Sequence, residues 1–154
     1  MTLEEILGEN GVVANLKATS KKHLFNELAR LASESASVPA RTVFDAVLER
    51  ERLGSTGVGA GVAIPHARLP GLDRIRGIFV RLEHPIDFES IDDQPIDLVF
   101  MLLAPSDAGA DHLKALAKVS RLLRRPEMRD RLRKAPDADA IRLLMSETQS
   151  TDAA

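Results

Sequence analysis

From Ile96 to Ala104 the chain reads Ile-Asp-Leu-Val-Phe-Met-Leu-Leu-Ala, an almost unbroken apolar stretch. It is far too short to cross a bilayer, which takes about 20 apolar residues. An apolar run of this length without alternation is the pattern of a central strand covered on both faces. Such a strand demands a layer above it and a layer below it. The rest of the chain has to supply those layers.

The flanking pattern supplies them. Val12 to Leu16 reads as a short strand. Thr19 or Ser20 offers an N-cap, and Leu24, Leu28 and Leu31 follow at helical spacing, predicting a helix from Lys21 to Glu34. Pro39 suits a first helical turn and Gly54 a terminus, so a second helix is expected over Pro39 to Leu53. Residues 54–61, Gly-Ser-Thr-Gly-Val-Gly-Ala-Gly, are too glycine-rich for a helix and predict a loop that allows unusual dihedrals or close approach. Val62 to Ile64 is expected to be a short buried strand ended by Pro65, and Ile75 to Leu82 another strand. Asp107 to Arg125 predicts a long helix ended by Pro126. Shorter helices are expected over Glu127 to Lys134 and Asp137 to Met145. Alternating helices and strands predict a three-layer α/β domain. The expected domain spans 1–147, with a disordered tail at 148–154.

Composition narrows the function classes. The chain has 154 residues, the length of one ordinary domain. It contains no Cys, which removes disulfides, thiolate metal sites and Cys nucleophiles. Aromatic residues are 3% and the formal net charge is −2, so neither stacking rings nor excess cations point to nucleic acid. The N-terminus, Met-Thr-Leu-Glu-Glu-Ile, lacks the basic-then-apolar order of a signal peptide. These features predict a cytoplasmic protein with no membrane span.

Four histidines are present. His23, in a first helical turn, and His84, in a charged turn before Pro85, read as surface residues. His66 follows the apolar Val62-Ala63-Ile64-Pro65, just where ligand sites of α/β sheets gather. His112 shares a helical side with Leu116 and Val119, so it points inward or along the core edge. Position alone equally allows a histidine that caps a core layer. Arg50 falls on one face with Val43 and Val47. An Arg in line with an apolar stripe is paired or available to an anion, although a cation near a helix C-terminus is also the simple dipole arrangement. The glycine loop is not a P-loop, because no Gly-Lys-Ser/Thr follows, and it is no dinucleotide fingerprint, because Pro65 stands where the helix would begin. The basic run from Arg121 to Lys134, broken by Glu127 and Asp130, reads as a solvated helical face.

Two histidines, an inward Arg and a glycine loop suit phosphoryl handling. A neutral imidazole is a nucleophile near neutral pH. A second imidazole can bond a phosphoryl oxygen, and an Arg can hold its charge. No metal and no cofactor are needed for that chemistry.

The segment from Glu49 to Arg68, containing Gly54-Ser55-Thr56-Gly57-Val58-Gly59-Ala60-Gly61 and Ile64-Pro65-His66, closely resembles the active-site signature of the fructose–mannitol-type enzyme IIA domains of the bacterial phosphotransferase system. The run Pro95 to Pro105 followed by His112-Leu113 is similar to the family's second signature. The likeness spans Leu3 to Met145 and is strongest toward the family's nitrogen-regulatory branch.

The resemblance implies a mixed sheet between helices and phosphoryl transfer from a phosphorylated HPr-type carrier. By matching position, His66 is the acceptor, and His112 and Arg50 stabilise the phosphate. Ser55, Thr56 and Gly57 would lie in a loop beside it. The regulatory branch implies outputs such as potassium transport or sensor kinases. A sugar-specific enzyme IIA serving a separate enzyme IIB is the alternative, and a binding module with structural histidines is a further one. With neither a second domain nor a Cys, the chain is expected not to carry its own Cys-phosphorylated IIB.

Overall fold

The computed structural model describes the backbone of residues 1–153, with side-chain surroundings through residue 146. The tail expected at 148–154 lies outside the fully described residues. The elements follow in the order α1 (Leu3–Leu7), β1 (Val12–Leu16), α2 (Lys21–Ala36), α3 (Ala40–Leu53), β2 (Gly57–Gly59), β3 (Val62–Ala63), β4 (His66–Leu69), β5 (Arg76–Ile86), β6 (Ile96–Pro105), α4 (Ala110–Leu123), α5 (Pro126–Lys134) and α6 (Ala138–Ala153).

The apolar stretch is β6, and it is central as expected. It pairs antiparallel with β5 on one side and parallel with β3 and β4 on the other. The strand order is β1-β5-β6-β3-β2, with β4 also on β6, so the sheet is mixed. Its alternating side chains divide the core in two. Val99, Met101 and Leu103 join the cluster under α2 and α3. Leu98, Phe100, Leu102 and Ala104 join the cluster under α1, α4, α5 and α6. This is the three-layer sandwich: with each face apolar, neither could be left to water without forfeiting about 25 cal/mol per Å² of apolar surface.

Three local readings need correction. Pro65 follows the end of β3 but does not take the chain off the sheet. Val62 pairs with Leu98, Ala63 with Val99 and His66 with Leu102, one constant register on either side of the proline. Pro65 lacks an N–H, yet its carbonyl accepts from Leu102 N at 2.9 Å, so the track along β6 continues. His66 therefore lies within the sheet rather than beyond a strand end. The glycine segment is not all loop, because Gly57–Gly59 forms β2 antiparallel to β3. Finally, β5 runs on through His84 to Ile86, past a register shift after Arg81, so His84 belongs to a strand.

α1 was not anticipated. Its signal was present: Thr2 and Glu5 form a capping box, with Thr2 Oγ1 accepting from Glu5 N at 3.0 Å.

The basic run is not one solvated face. Arg133 bonds both oxygens of Asp97 and the carbonyl of Ala60, clasping α5 to the glycine hairpin. Arg129 donates to the carbonyls of Leu123 and Arg124 at the end of α4. Gly61 (φ +79°) sits under that clasp, where a Cβ would collide with the Arg133 guanidinium.

Candidate functional site

The β2–β3 hairpin covers the outer edge of β3 only. β4, which continues the track, is left as a bare sheet edge with α3 on one side and α4 on the other. A cleft of about 430 Å³ follows this edge. Its lining includes Arg50 from α3, His66 and Arg68 from β4, and His112 from α4. The structure thus gathers the three residues singled out by position: His66, His112 and Arg50. Ser55, Thr56 and Gly57 do not line the cleft.

His66 is held by the break in the hairpin. Ile64 donates its N–H outward to the Thr56 carbonyl, so its own carbonyl also faces the outer edge, where β2 has already stopped. His66 Nδ1 fills that gap at 2.8 Å from Ile64 O. A carbonyl only accepts, so Nδ1 carries the proton and Nε2 keeps the lone pair. The half-buried ring is a nucleophile with its tautomer set by the backbone. Desolvation lowers its pKa and the Arg50 charge lowers it further, against the opposing effects of the Ile64 bond and Glu51. The neutral ring is thereby favoured.

His112 faces His66 with ring centroids 5.7 Å apart and planes at 69°. It is buried at 6% exposure, and its Nε2 has no hydrogen-bond partner among the described residues. Desolvation lowers its pKa, with the charges of His66 and Arg68 acting in the same direction. A buried, unpartnered ring nitrogen at a cleft wall is an open hydrogen-bonding position for an incoming group.

Arg50 continues the face of Val43 and Val47, which are both buried. It is half-buried, and its Nη1 donates to Gly54 O at 3.0 Å. Arg68 was missed. It stands two residues after His66 and so projects to the same face of the edge strand. Its Nη2 reaches toward Gly109 O, at 3.4 Å, ahead of α4. The period-2 spacing from His66 was the available signal. Of the other histidines, His23 Nδ1 accepts from Thr19 N at 3.2 Å and His84 is exposed; neither lines the cleft. Among the described residues, no three His, Asp or Glu side chains gather as metal ligands.

The loop residues are tied up behind the site. Glu51 is buried beside Lys21, at 2.7 Å, and accepts from both the N–H and the hydroxyl of Thr56, at 3.0 and 2.6 Å. Lys21 also donates to Phe88 O and lies over the Phe88 ring. Ser55 Oγ accepts from Gly57 N and donates to Phe88 O. Glu51 thereby anchors the turn that links α3 to the hairpin. Gly57 is required by packing, since a Cβ there would run into Ser90.

What the cleft offers is a neutral nucleophilic nitrogen, a free imidazole position opposite it and two guanidinium groups at its walls. The comparisons with known proteins place this α/β sandwich in a class, that of phosphotransferase-system components. Residues 5–148 match the family described as "Phosphoenolpyruvate-dependent sugar phosphotransferase system, EIIA 2", and the chain belongs to that family. It is 52% identical over 141 residues to the nitrogen regulatory protein of Bradyrhizobium diazoefficiens, covering 92% of each chain. It is 40% identical over 149 residues to the nitrogen regulatory protein of Pseudomonas aeruginosa, covering 96% of this chain and 97% of the relative. The crystal structure of nitrogen regulatory protein IIA-Ntr from Neisseria meningitidis superposes with a TM-score of 0.89 at 36% identity, covering 93% of this chain and 98% of that one. Among the described residues, no helix is long and apolar enough to cross a membrane.

Proposed function

We propose that His66 Nε2 accepts a phosphoryl group from the phosphohistidine of a small HPr-type carrier protein, and that the phosphorylation state of His66 is the signal read by regulatory partners. The observation that carries this reading is the bond from His66 Nδ1 to Ile64 O, which leaves the Nε2 lone pair as the reactive group. In the transfer, the P–N bond to the donor imidazole breaks as the P–Nε2 bond forms. The donor nitrogen leaves with the electron pair of the broken bond, and the proton stays on Nδ1, donated to the Ile64 carbonyl. Nothing in this step is covalently difficult, so positioning and charge stabilisation dominate.

His112 is the group for one phosphoryl oxygen, through its unpartnered Nε2 in the N–H tautomer. Arg50 is the group for the charge, exchanging the Gly54 carbonyl for phosphoryl oxygens. Arg68 adds a second cation at the mouth. Leu53 and Leu113, exposed by 82% and 65%, flank the cleft from α3 and α4 and offer apolar contact to the docked carrier. The regulatory reading, with outputs of the kind that control potassium transport or sensor kinases, rests on the likeness to nitrogen regulatory proteins along nearly the whole chain.

The test is intact-mass spectrometry after incubation with phosphoenolpyruvate, enzyme I and an HPr-type carrier. One acid-labile phosphoryl group, absent from His66→Ala, is expected. No adduct with a demonstrably charged carrier overturns the reading, as does an adduct retained in His66→Ala.

A further inference from the structure

A second cavity lies on the far side of β6 from the histidines. It has a volume of about 220 Å³ and opens between α1, the turn Gly8–Asn10, the end of α2 and the start of β5. None of its lining residues lines the His66 cleft.

Its floor is apolar. Leu7, Ala36, Ile78, Met101 and Leu103 are each buried, and all face it. One wall is cationic, formed by Arg74 and Arg76. Arg76 is held in a fixed direction: its Nη2 donates to Asp73 Oδ1 at 3.2 Å, and its side chain is 23% exposed. Its Nε is buried and has no hydrogen-bond partner among the described residues. Unpaired buried donors are rare in folded proteins. One placed at the wall of an apolar cavity matches how small-molecule sites are built, with a greasy body and a few fixed polar groups. The roof is braced as well. Arg142 donates to the carbonyls of Gly8 and Glu9 at 2.7 and 2.9 Å, so the turn over the cavity is tied to α6.

We infer that this cavity is a binding site for a small carboxylate with a compact apolar body, the carboxylate accepting from Arg76 Nε and the body resting on Leu7, Ile78 and Met101. The volume suits a molecule of about ten non-hydrogen atoms, on the scale at which an apolar cavity of about 150 Å³ takes up benzene. Glu5 and Glu9 also lie at the rim, so an α-ammonium group on the ligand has carboxylates within the same site. Plain carboxylates and apolar amino acids are the two sources of this chemistry.

The test uses the full chain, labelled with nitrogen-15, titrated with 3-phenylpropanoate, with L-phenylalanine and with the neutral 3-phenylpropanamide. Saturable shifts of the amides of Leu7, Gly77 and Ile78 are expected with the first or the second probe, at Kd of about 1 mM or tighter. Which of the two binds identifies the source. The amide is expected to bind at least about tenfold more weakly, as is either acid to Arg76→Gln. Because Arg76→Gln also releases Asp73, a second variant, Ala36→Leu, fills the cavity without touching the guanidinium and is expected to abolish the shifts. Both variants keep phosphoryl acceptance by His66. The inference is overturned if neither acid moves these amides at about 10 mM, if the amide binds as tightly as the acid, or if the two variants bind like the parent.

Discussion

The imidazoles of His66 and His112 meet edge to face across a sheet edge, 5.7 Å between centroids, one on β4 and one on the first turn of α4. Among the described residues, no carboxylate is bonded to His66 Nδ1 or to His112 Nε2. Burial favours the neutral form of both rings, and in the proposed transfer they stand on two sides of the phosphoryl group.

That arrangement predicts a split between function and stability at His112. On the proposed role the His112→Leu variant would lose a hydrogen bond made only to the transferred group, so phosphoryl transfer is expected to slow about 100-fold. Its stability is expected to change by less than about 1 kcal/mol, because the buried Nε2 has no partner to lose. Single-turnover transfer and urea unfolding, measured on the same preparation, check both halves.

The pH response follows from the direction of both shifts. His66 and His112 titrate lower in the folded protein than in the unfolded chain, chiefly through burial. Between the folded values and about 6.5 the unfolded chain binds more protons. The stability contributed by the neutral rings is whole above about pH 6.5 and is lost as pH falls through the folded values. Urea midpoints are expected to drop on acidification from about pH 7 to 5, and to drop less in His66→Gln/His112→Gln. The neutral nucleophile also keeps transfer active below the pH at which a free imidazole would protonate.

Glu51 holds the turn that leads from α3 into the hairpin. Its carboxylate side chain is 4% exposed and joins Lys21 to two groups of Thr56. Glu51→Ala leaves the Lys21 ammonium half-buried and the Thr56 groups unpaired. The expected cost is about 3 kcal/mol, the lower end for breaking a buried pair, because Lys21 keeps some contact with water. Equilibrium unfolding in urea reads it directly.

Gly57 and Ser90 are expected to couple. A Cβ on Gly57 would collide with the Ser90 side chain, so Gly57→Ala is expected to cost about 1–3 kcal/mol. Adding Ser90→Gly removes the obstruction and is expected to recover part of that loss. A double-mutant cycle that shows additivity would contradict the contact.

How much of this was readable beforehand follows the reach of each interaction. The central strand, the α2 and α3 helices and the inward faces of Arg50 and His112 depend on periodicity within one element, and they stand where the pattern places them. His66 lines the cleft, but from within the sheet rather than from beyond a strand end. Pro65 looks like a strand end in sequence, but the partner strand decides pairing, and β6 holds the same register past it. The anchoring role of Glu51 is not legible in the sequence, because its partners, Lys21 and Thr56, come from another helix and from a turn. Thr56 and Ser55 were expected beside the phosphate, yet their hydroxyls serve Glu51 and Phe88. The reactive nitrogen of His66 was illegible, since it depends on where β2 stops and leaves Ile64 O open.

That nitrogen is also the most direct test of the account. The protein, labelled with nitrogen-15 in its histidines and phosphorylated through the carrier, gives a long-range proton–nitrogen spectrum that separates the two ring positions. The account predicts a single phosphorylated ring, His66, modified at Nε2 with Nδ1 still protonated. Phosphate on Nδ1 of His66, or on His112, would contradict it.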